Sequence, residues 1–264
     1  MTRFLAALAS AAILVGCAGD SDGEAPAWNH DPADTALGPE AWGEIDESFE
    51  QCADGTEQSP IDITGAVEAD VPDLELDYPE TSLVVENTGH TIEVRVPESS
   101  NLTLTIEDDE YRLVQFHFHA PSEHTVDGRH YDGEVHLVHE SDEGELAVVA
   151  VFLERSGVLV PFVAELLESA PEDAGEEVEL EGERSALLLL QVADSTTAYG
   201  TGYYTYPGSL TTPGCSEGVR WIVDTQAVYP VSPAAIGRLH ELIAGFPDYD
   251  GYENNNRPTQ PVNE

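Results

Sequence analysis

The 264-residue chain carries 52 Asp and Glu against 9 basic residues, a formal net charge of -43, and every basic residue is Arg. A polyanion of this strength is repelled by nucleic acid phosphates and by anionic lipid headgroups, which excludes both as partners. At 41% hydrophobic content there is apolar material for a substantial core. The self-repulsion is tolerable where salt near 1 M shortens the Debye length to about 3 Å, so the composition reads as salt-adapted. A calcium-binding surface is the functional alternative, but the acids are scattered and no loop has the alternating acidic spacing with a central Gly that such a site needs.

Residues Met1 to Arg3 precede an apolar stretch from Phe4 to Gly16 and then Cys17, which reads as a secretory signal too short to span a bilayer as a mature helix. The run Leu14-Val15-Gly16-Cys17 resembles a bacterial lipoprotein processing site, implying cleavage before Cys17 and a lipid anchor on its thiol. An ordinary signal cut nearby is the alternative. The expectation is an exported protein of the periplasm or cell surface that touches a membrane only through Cys17, with residues 18–27 as a short tether. Cys52 and Cys215 remain, an even count in an oxidising compartment, so a disulfide is expected, with two buried free thiols as the alternative.

From Trp28 onward no second linker is visible, and one domain over 28–264 is expected. Period-two alternation predicts strands over Leu83–Val85, Thr91–Val96, Leu102–Ile106, Tyr111–His119, Glu134–His139, Leu146–Leu153 and Val219–Val223. Many short strands with tight connections predict a mainly β protein, built on a large twisted, predominantly antiparallel central sheet with a few short peripheral helices. One helix is predicted over Pro161–Glu168 and another from Ser232 as N-cap, with Pro233 in its first turn, to about Ala244. The Glu-rich stretch Pro171 to Arg184, followed by the apolar run Leu187 to Val192, reads as a surface excursion.

The chemistry concentrates in Gln115-Phe116-His117-Phe118-His119, then Glu123, then Glu134-Val135-His136-Leu137-Val138-His139. On a strand, His117 and His119 share one face while Phe116 and Phe118 take the other, and a neighbouring strand can bring His136 to the same face. Three neutral imidazoles around zinc, with a fourth position open, is the arrangement of a catalytic zinc site. A His-x-His pair by itself is a weak signal, and this reading alone stops at a divalent metal site on a sheet. His30, His130 and His240 read as incidental.

The motifs Gln-Phe-His-Phe-His-x-Pro-Ser-Glu-His, Val-His-Leu-Val-His, Ser209 to Cys215 and Asn255-Asn256-Arg257-Pro258 resemble those of α-class carbonic anhydrases. Gln58 to Ile63 and Asn87-Thr88-Gly89-His90 fit the same family in the same order, so the resemblance spans Trp28 to the C-terminus. It implies the fold predicted above and reversible hydration of carbon dioxide to bicarbonate and a proton, by attack of zinc-bound hydroxide. It implies His117, His119 and His136 as zinc ligands, supported by Gln115, Glu134 and the carbonyl of Asn255, with His124 and His139 outside the ligand set. It further implies that Thr211 hydrogen-bonds Glu123 to orient the nucleophile, that Thr211 and Thr212 border the substrate, and that Val138, Val148, Leu210, Val219 and Trp221 form an apolar pocket. His90 is implied as the proton shuttle, an exposed imidazole titrating near pH 6.5. A homodimer is left open.

Departures from the family pattern are His30 in place of a Tyr, Ala120 after His119, and Glu93 where a neutral amide is usual. The acidic surface, Glu93 included, is expected to discourage chloride from the open metal position. Two competitors fit part of the pattern. His117-x-His119 with Glu123 and a distant His136 also suits a cupin-like metal dioxygenase, and a related binding module that has lost catalysis would share the fold.

Overall fold

The computed structural model describes residues 26–67, 69, 71–157, 161–190 and 202–262, with only the backbone of Gln226 and Ala227. The signal region, Cys17 and most of the tether lie outside them, as does the end of the apolar run at Val192. In chain order the strands are β1 Asp62–Ile63, β2 Leu74–Asp77, β3 Val84–Asn87, β4 Ile92–Arg95, β5 Thr103–Ile106 and β6 Asp109–His119. They continue with β7 Thr125–Val126, β8 Gly133–Ser141, β9 Leu146–Arg155, β10 Glu177–Glu179, β11 Tyr203–Ser209 and β12 Glu217–Val231. The helices are α1 Trp42–Ile45, α2 Gln51–Asp54, α3 Pro161–Ser169 and α4 Pro233–Ala244.

Ten strands form one sheet in the order β10-β3-β4-β6-β8-β9-β12-β11, with β5 pairing β6 and β2 off this path. Every pairing in it is antiparallel except β9 with β12. That exception has a physical reason: parallel neighbours need a long crossover, and the chain between β9 and β12 carries α3, β10 and β11 before it returns. The Glu-rich excursion contributes β10, an exposed three-residue strand against β3. Its charges blunt the sheet edge against further pairing.

The two faces of the sheet bury different things. One carries the main core, with Ile92 and Val94 of β4, Phe116 and Phe118 of β6, Val135 and Leu137 of β8, and Val149 and Val151 of β9. It packs against Phe162, Val163, Leu166 and Leu167 of α3 and against Ile236, Leu239 and Ile243 of α4. Those spacings are the 3.6-residue stripe of a helix lying on a core. At its start α4 is capped by Ser232, whose side chain accepts from the N–H of Ala235 at 3.1 Å, with Pro233 in the first turn.

On β6 the uninterrupted alternation predicted over Tyr111–His119 does not hold. The register shifts between Leu113 and Gln115, a β-bulge that leaves Val114 as an extra residue. One inserted residue exchanges the faces that follow, because side chains alternate with period two. Tyr111 and Leu113 therefore join the same core as Phe116 and Phe118, and His117 and His119 turn to the other face.

Cys52 of α2 and Cys215 are joined in a disulfide across a separation of 163 residues. Beside it the buried guanidinium of Arg257 donates to Gln58 Oε1 at 2.9 Å, Ser59 O at 2.8 Å and Cys52 O at 3.3 Å. It also lies 5.7 Å from the ring of Trp42. Burial lowers its pKa to about 10, still well above neutral pH, so these carbonyls face a cation.

Candidate metal centre

In the antiparallel pair β6 and β8, His117 stands opposite His136 and His119 opposite Glu134. The three imidazole rings lie 5.0, 5.2 and 4.6 Å apart, centroid to centroid. One nitrogen from each falls within 4.8 Å of the others.

The second nitrogen of each ring is committed elsewhere. His117 Nδ1–H donates to Gln115 Oε1 at 2.8 Å, His119 Nδ1–H to the carbonyl of Asn255 at 2.8 Å, and His136 Nε2–H to Glu134 Oε1 at 2.9 Å. An oxygen acceptor fixes the proton on the nitrogen that faces it. The lone pairs therefore remain on Nε2 of His117, Nε2 of His119 and Nδ1 of His136. Nε2 of His119 is buried with no hydrogen-bond partner, a costly arrangement for a polar atom unless a ligand meets it. Burial, foremost, holds His117 and His119 below the ordinary histidine pKa, so both are neutral at pH 7. Three nitrogen donors with a common focus fit zinc, which takes imidazole ligands in this number at open sites.

Glu123 is fully buried beside them, with Oε2 3.5 Å from His119 Nε2 and 3.8 Å from His136 Nδ1. Its Oε1 accepts the backbone N–H of Arg257 at 2.7 Å, and Oε2 has no partner. Thr211 is buried in the turn after β11, and no hydrogen bond joins it to Glu123 in this structure. That turn closes through Leu210 N–H to Ser216 O and Cys215 N–H to Thr212 O, both at 2.9 Å, which puts Thr211 and Thr212 on the loop that the disulfide anchors. Val138, Val148, Val219 and Trp221 form a second apolar cluster, separate from the main core, with Leu210 packed against it. Trp221 reaches the triad directly, its ring 4.8 Å from that of His136.

Sequence reasoning missed most of what supports Glu134. One of its oxygens accepts from both His136 and His124 Nδ1, the latter at 2.7 Å, while the other accepts the backbone N–H of His124 at 2.9 Å. Behind it the Tyr206 hydroxyl bridges His124 Nε2 at 2.6 Å and Ser59 Oγ at 2.9 Å. His124, Glu134 and His136 also lie close enough to suggest a second ligand set, but these hydrogen bonds already join them. Burial alone would raise Glu134, but the fields and hydrogen bonds of His124 and His136 hold it well below the usual carboxylate range. Partners that orient a ligand are worth about 10- to 100-fold in metal affinity. Glu134→Gln is therefore expected to weaken zinc binding by about that factor, read by competition with a chelator. Ser59, His124 and Tyr206 lie too far apart in sequence for any spacing rule to join them.

His139 stands outside the triad, with Nδ1 directed to Ala147 O at 3.1 Å and Nε2 against the Tyr78 hydroxyl. Burial lowers its pKa to about 4, and it is a core residue. His90 departs from expectation. Its ring is stacked on Trp28, centroids 3.8 Å apart and planes 9° from parallel, with Nδ1 buried and unpartnered. Burial lowers it to about 4, so this is a covered imidazole and not a freely exposed one titrating near 6.5. Asn255 ties the region together: its side chain donates to His90 O at 3.2 Å and Phe118 O at 3.0 Å and accepts from Ala120 N–H at 2.9 Å.

Glu93 is the cross-strand neighbour of His117 and shares its face. Burial first, then the adjacent Glu86, raise its carboxyl to about 7. A carboxylate so close to the triad repels anions. Glu93→Gln is expected to strengthen chloride inhibition at pH 8, measured as the salt concentration that halves activity; unchanged sensitivity would remove Glu93 from the explanation.

Three inward-facing imidazole lone pairs beside an apolar wall, all on one face of a sheet, define a three-histidine metal centre. The family model described as eukaryotic-type carbonic anhydrase matches residues 37–264. A carbonic anhydrase of Klebsiella pneumoniae is 36% identical over 225 residues, covering 85% of each chain. Among solved structures, the α-carbonic anhydrase of Thermovibrio ammonificans in complex with the inhibitor sulfanilamide superposes with a TM-score of 0.78 at 35% identity, covering 91% of this chain and 97% of that one. The Photobacterium profundum α-carbonic anhydrase gives 0.74 at 37% identity, covering 89% and 97%. The chain belongs to the α-class carbonic anhydrase family and is an enzyme of that kind. This membership, together with an open ten-stranded sheet where a cupin has a double-sheet jelly roll, sets aside the dioxygenase reading.

Proposed function

We propose that the protein catalyses the reversible hydration of carbon dioxide to bicarbonate and a proton, with zinc held by His117 Nε2, His119 Nε2 and His136 Nδ1. The observation that carries this is the set of three imidazoles, each held by an oxygen acceptor so that its other nitrogen converges on the same point. Zinc bound there supplies Lewis-acid activation of water at neutral pH. Gln115, Glu134 and Asn255 hold the rings in orientation and tautomer. Glu123, fixed by the backbone of Arg257, is the acceptor for the Thr211 hydroxyl, which requires the two side chains to close to hydrogen-bond distance and then orients the attacking water. Val138, Val148, Leu210, Val219 and Trp221 offer a nonpolar gas an apolar wall, with Thr212 on the loop that follows Leu210. His90 takes up the released proton and gives it to solvent, which requires its ring to leave Trp28 and recover an ordinary pKa.

The same reading makes the mature protein a single catalytic unit over 28–264, exported, adapted to salt and lipid-anchored through Cys17 at the periplasm or cell surface. Stopped-flow hydration in high salt tests the function. Wild type is expected to hydrate carbon dioxide, and His90→Ala to retain zinc while becoming dependent on added buffer for its rate. A zinc-loaded protein inert toward carbon dioxide would instead support the binding-module alternative.

A further inference from the structure

Arg257 serves the site through its backbone and is itself held by its side chain. The backbone N–H donates to Glu123 Oε1 at 2.7 Å. The guanidinium is met by neutral oxygens of Gln58, Ser59 and Cys52, and among the described residues it forms no ion pair with a carboxylate. Burying a cation is costly unless its donors are met, so the acceptors around it fix where the residue sits. Whatever holds that guanidinium therefore also holds Glu123.

Gln58 and Ser59 each face two ways. Gln58 Oε1 accepts from Arg257 Nη1 at 2.9 Å, while its Nε2 donates to Cys215 O at 3.0 Å. Ser59 O accepts from the same Arg257 nitrogen at 2.8 Å. On its other side Ser59 N–H donates to Ser209 Oγ at 2.9 Å, and Ser59 Oγ accepts the N–H of Ser209 at 3.1 Å. Ser209 and Cys215 flank the turn that carries Thr211. Gln58 and Ser59 are both buried, so Glu123 at one end and Thr211 at the other hang on one two-residue strap.

We infer that Gln58 is a positioning residue for the Thr211–Glu123 pair: its amide, beside the backbone of Ser59, ties Arg257, which holds Glu123, to the loop that carries Thr211. This deepens the carbon dioxide hydration reading and rests on it, because the pair orients the nucleophile of that reaction. Thr211 and Glu123 must close to hydrogen-bond distance, and the strap fixes the two backbones across which they close. A Met at 58 has similar bulk but meets neither the guanidinium nor Cys215 O, so both ends loosen. Gln58 makes none of the hydrogen bonds that hold His117, His119 and His136, which leaves the metal ligands as they are.

A double-mutant cycle with Thr211→Val tests this on the zinc-loaded full chain. Gln58→Met is expected to keep its zinc and wild-type zinc affinity while kcat/KM for carbon dioxide falls about 10- to 100-fold. In the Thr211→Val background the same change should cost nothing further, because the orientation it serves is already gone. A role confined to stability would lower the rate by the same factor in both backgrounds. Arg257→Lys keeps the cation without the fork that meets several acceptors, so it should repeat the pattern, and it carries the cycle where Gln58→Met does not fold. Amide hydrogen exchange of the zinc-free protein reads the strap without activity: the Arg257 N–H is expected to exchange about 10-fold faster in Gln58→Met, with the amides of β8 and β9 unchanged. Equal losses in both Thr211 backgrounds, a wild-type rate in Gln58→Met, lost zinc, or an Arg257 amide as protected as in wild type would overturn the inference. Wild type that hydrates no carbon dioxide would sink the functional reading, and the exchange measurement would still decide the strap.

Discussion

His119→Gln is expected to produce a folded protein that holds no stoichiometric zinc after dialysis and hydrates carbon dioxide at the uncatalysed rate. His119 is 1% exposed, and its Nδ1–H satisfies the carbonyl of Asn255, whose side chain in turn fixes β6 and the His90 loop. An Ala there would strand that carbonyl at a cost of about 1–3 kcal/mol and mix a folding defect with a metal defect. Gln keeps an N–H donor in reach and replaces the inward imidazole nitrogen with a weaker amide-oxygen donor. Two imidazoles then remain, and the loss of a ligand exceeds the 10- to 100-fold effect of losing a supporting partner. Zinc analysis, hydration rate and thermal unfolding of the same sample check all three parts. Retained zinc with normal activity would remove His119 from the ligand set.

Replacing Cys52 and Cys215 together by Ala is expected to lower the melting temperature by roughly 4–20 °C, from a loss of about 2–5 kcal/mol and a shift of about 2–4 °C per kcal/mol in a chain of this size. The bond closes a separation of 163 residues, for which loop entropy gives an upper figure of about 5 kcal/mol. Arg257 and Gln58 still tie the same region, since Gln58 Nε2 donates to Cys215 O at 3.0 Å and Arg257 donates to Cys52 O. The consequence reaches the site, because Cys215 N–H closes the turn that carries Thr211 and Thr212. Reductant should lower the melting temperature of wild type toward that of the variant and leave the variant unchanged.

The sheet was legible where periodicity was strong. All seven alternating segments fall on strands, and the start signals of α4 placed its first residue because Ser232 and Pro233 are local chemistry. Short edge elements such as β2 and β10 escaped, since three or four residues carry too little pattern to separate from a loop. The bulge at Val114 was missed although the apolar positions switch parity from Tyr111 and Leu113 to Phe116 and Phe118, a slip that the single run of alternation read over the strand passed over. Within the site, the shared face of His117 and His119 follows from period two. The convergence of Ser59, Tyr206, His124 and Arg257 does not, because it is created by pairings more than 80 residues apart. The covered state of His90 likewise depends on Trp28, 62 positions earlier.

Zinc-edge X-ray absorption on the purified full chain tests the central claim most directly, since it counts the atoms around the ion without reference to activity. One zinc per chain is predicted, with three imidazole nitrogens at about 2.0–2.1 Å and one oxygen completing a tetrahedron. Sulfur in the shell, a six-oxygen environment, or protein that takes up no zinc would contradict it.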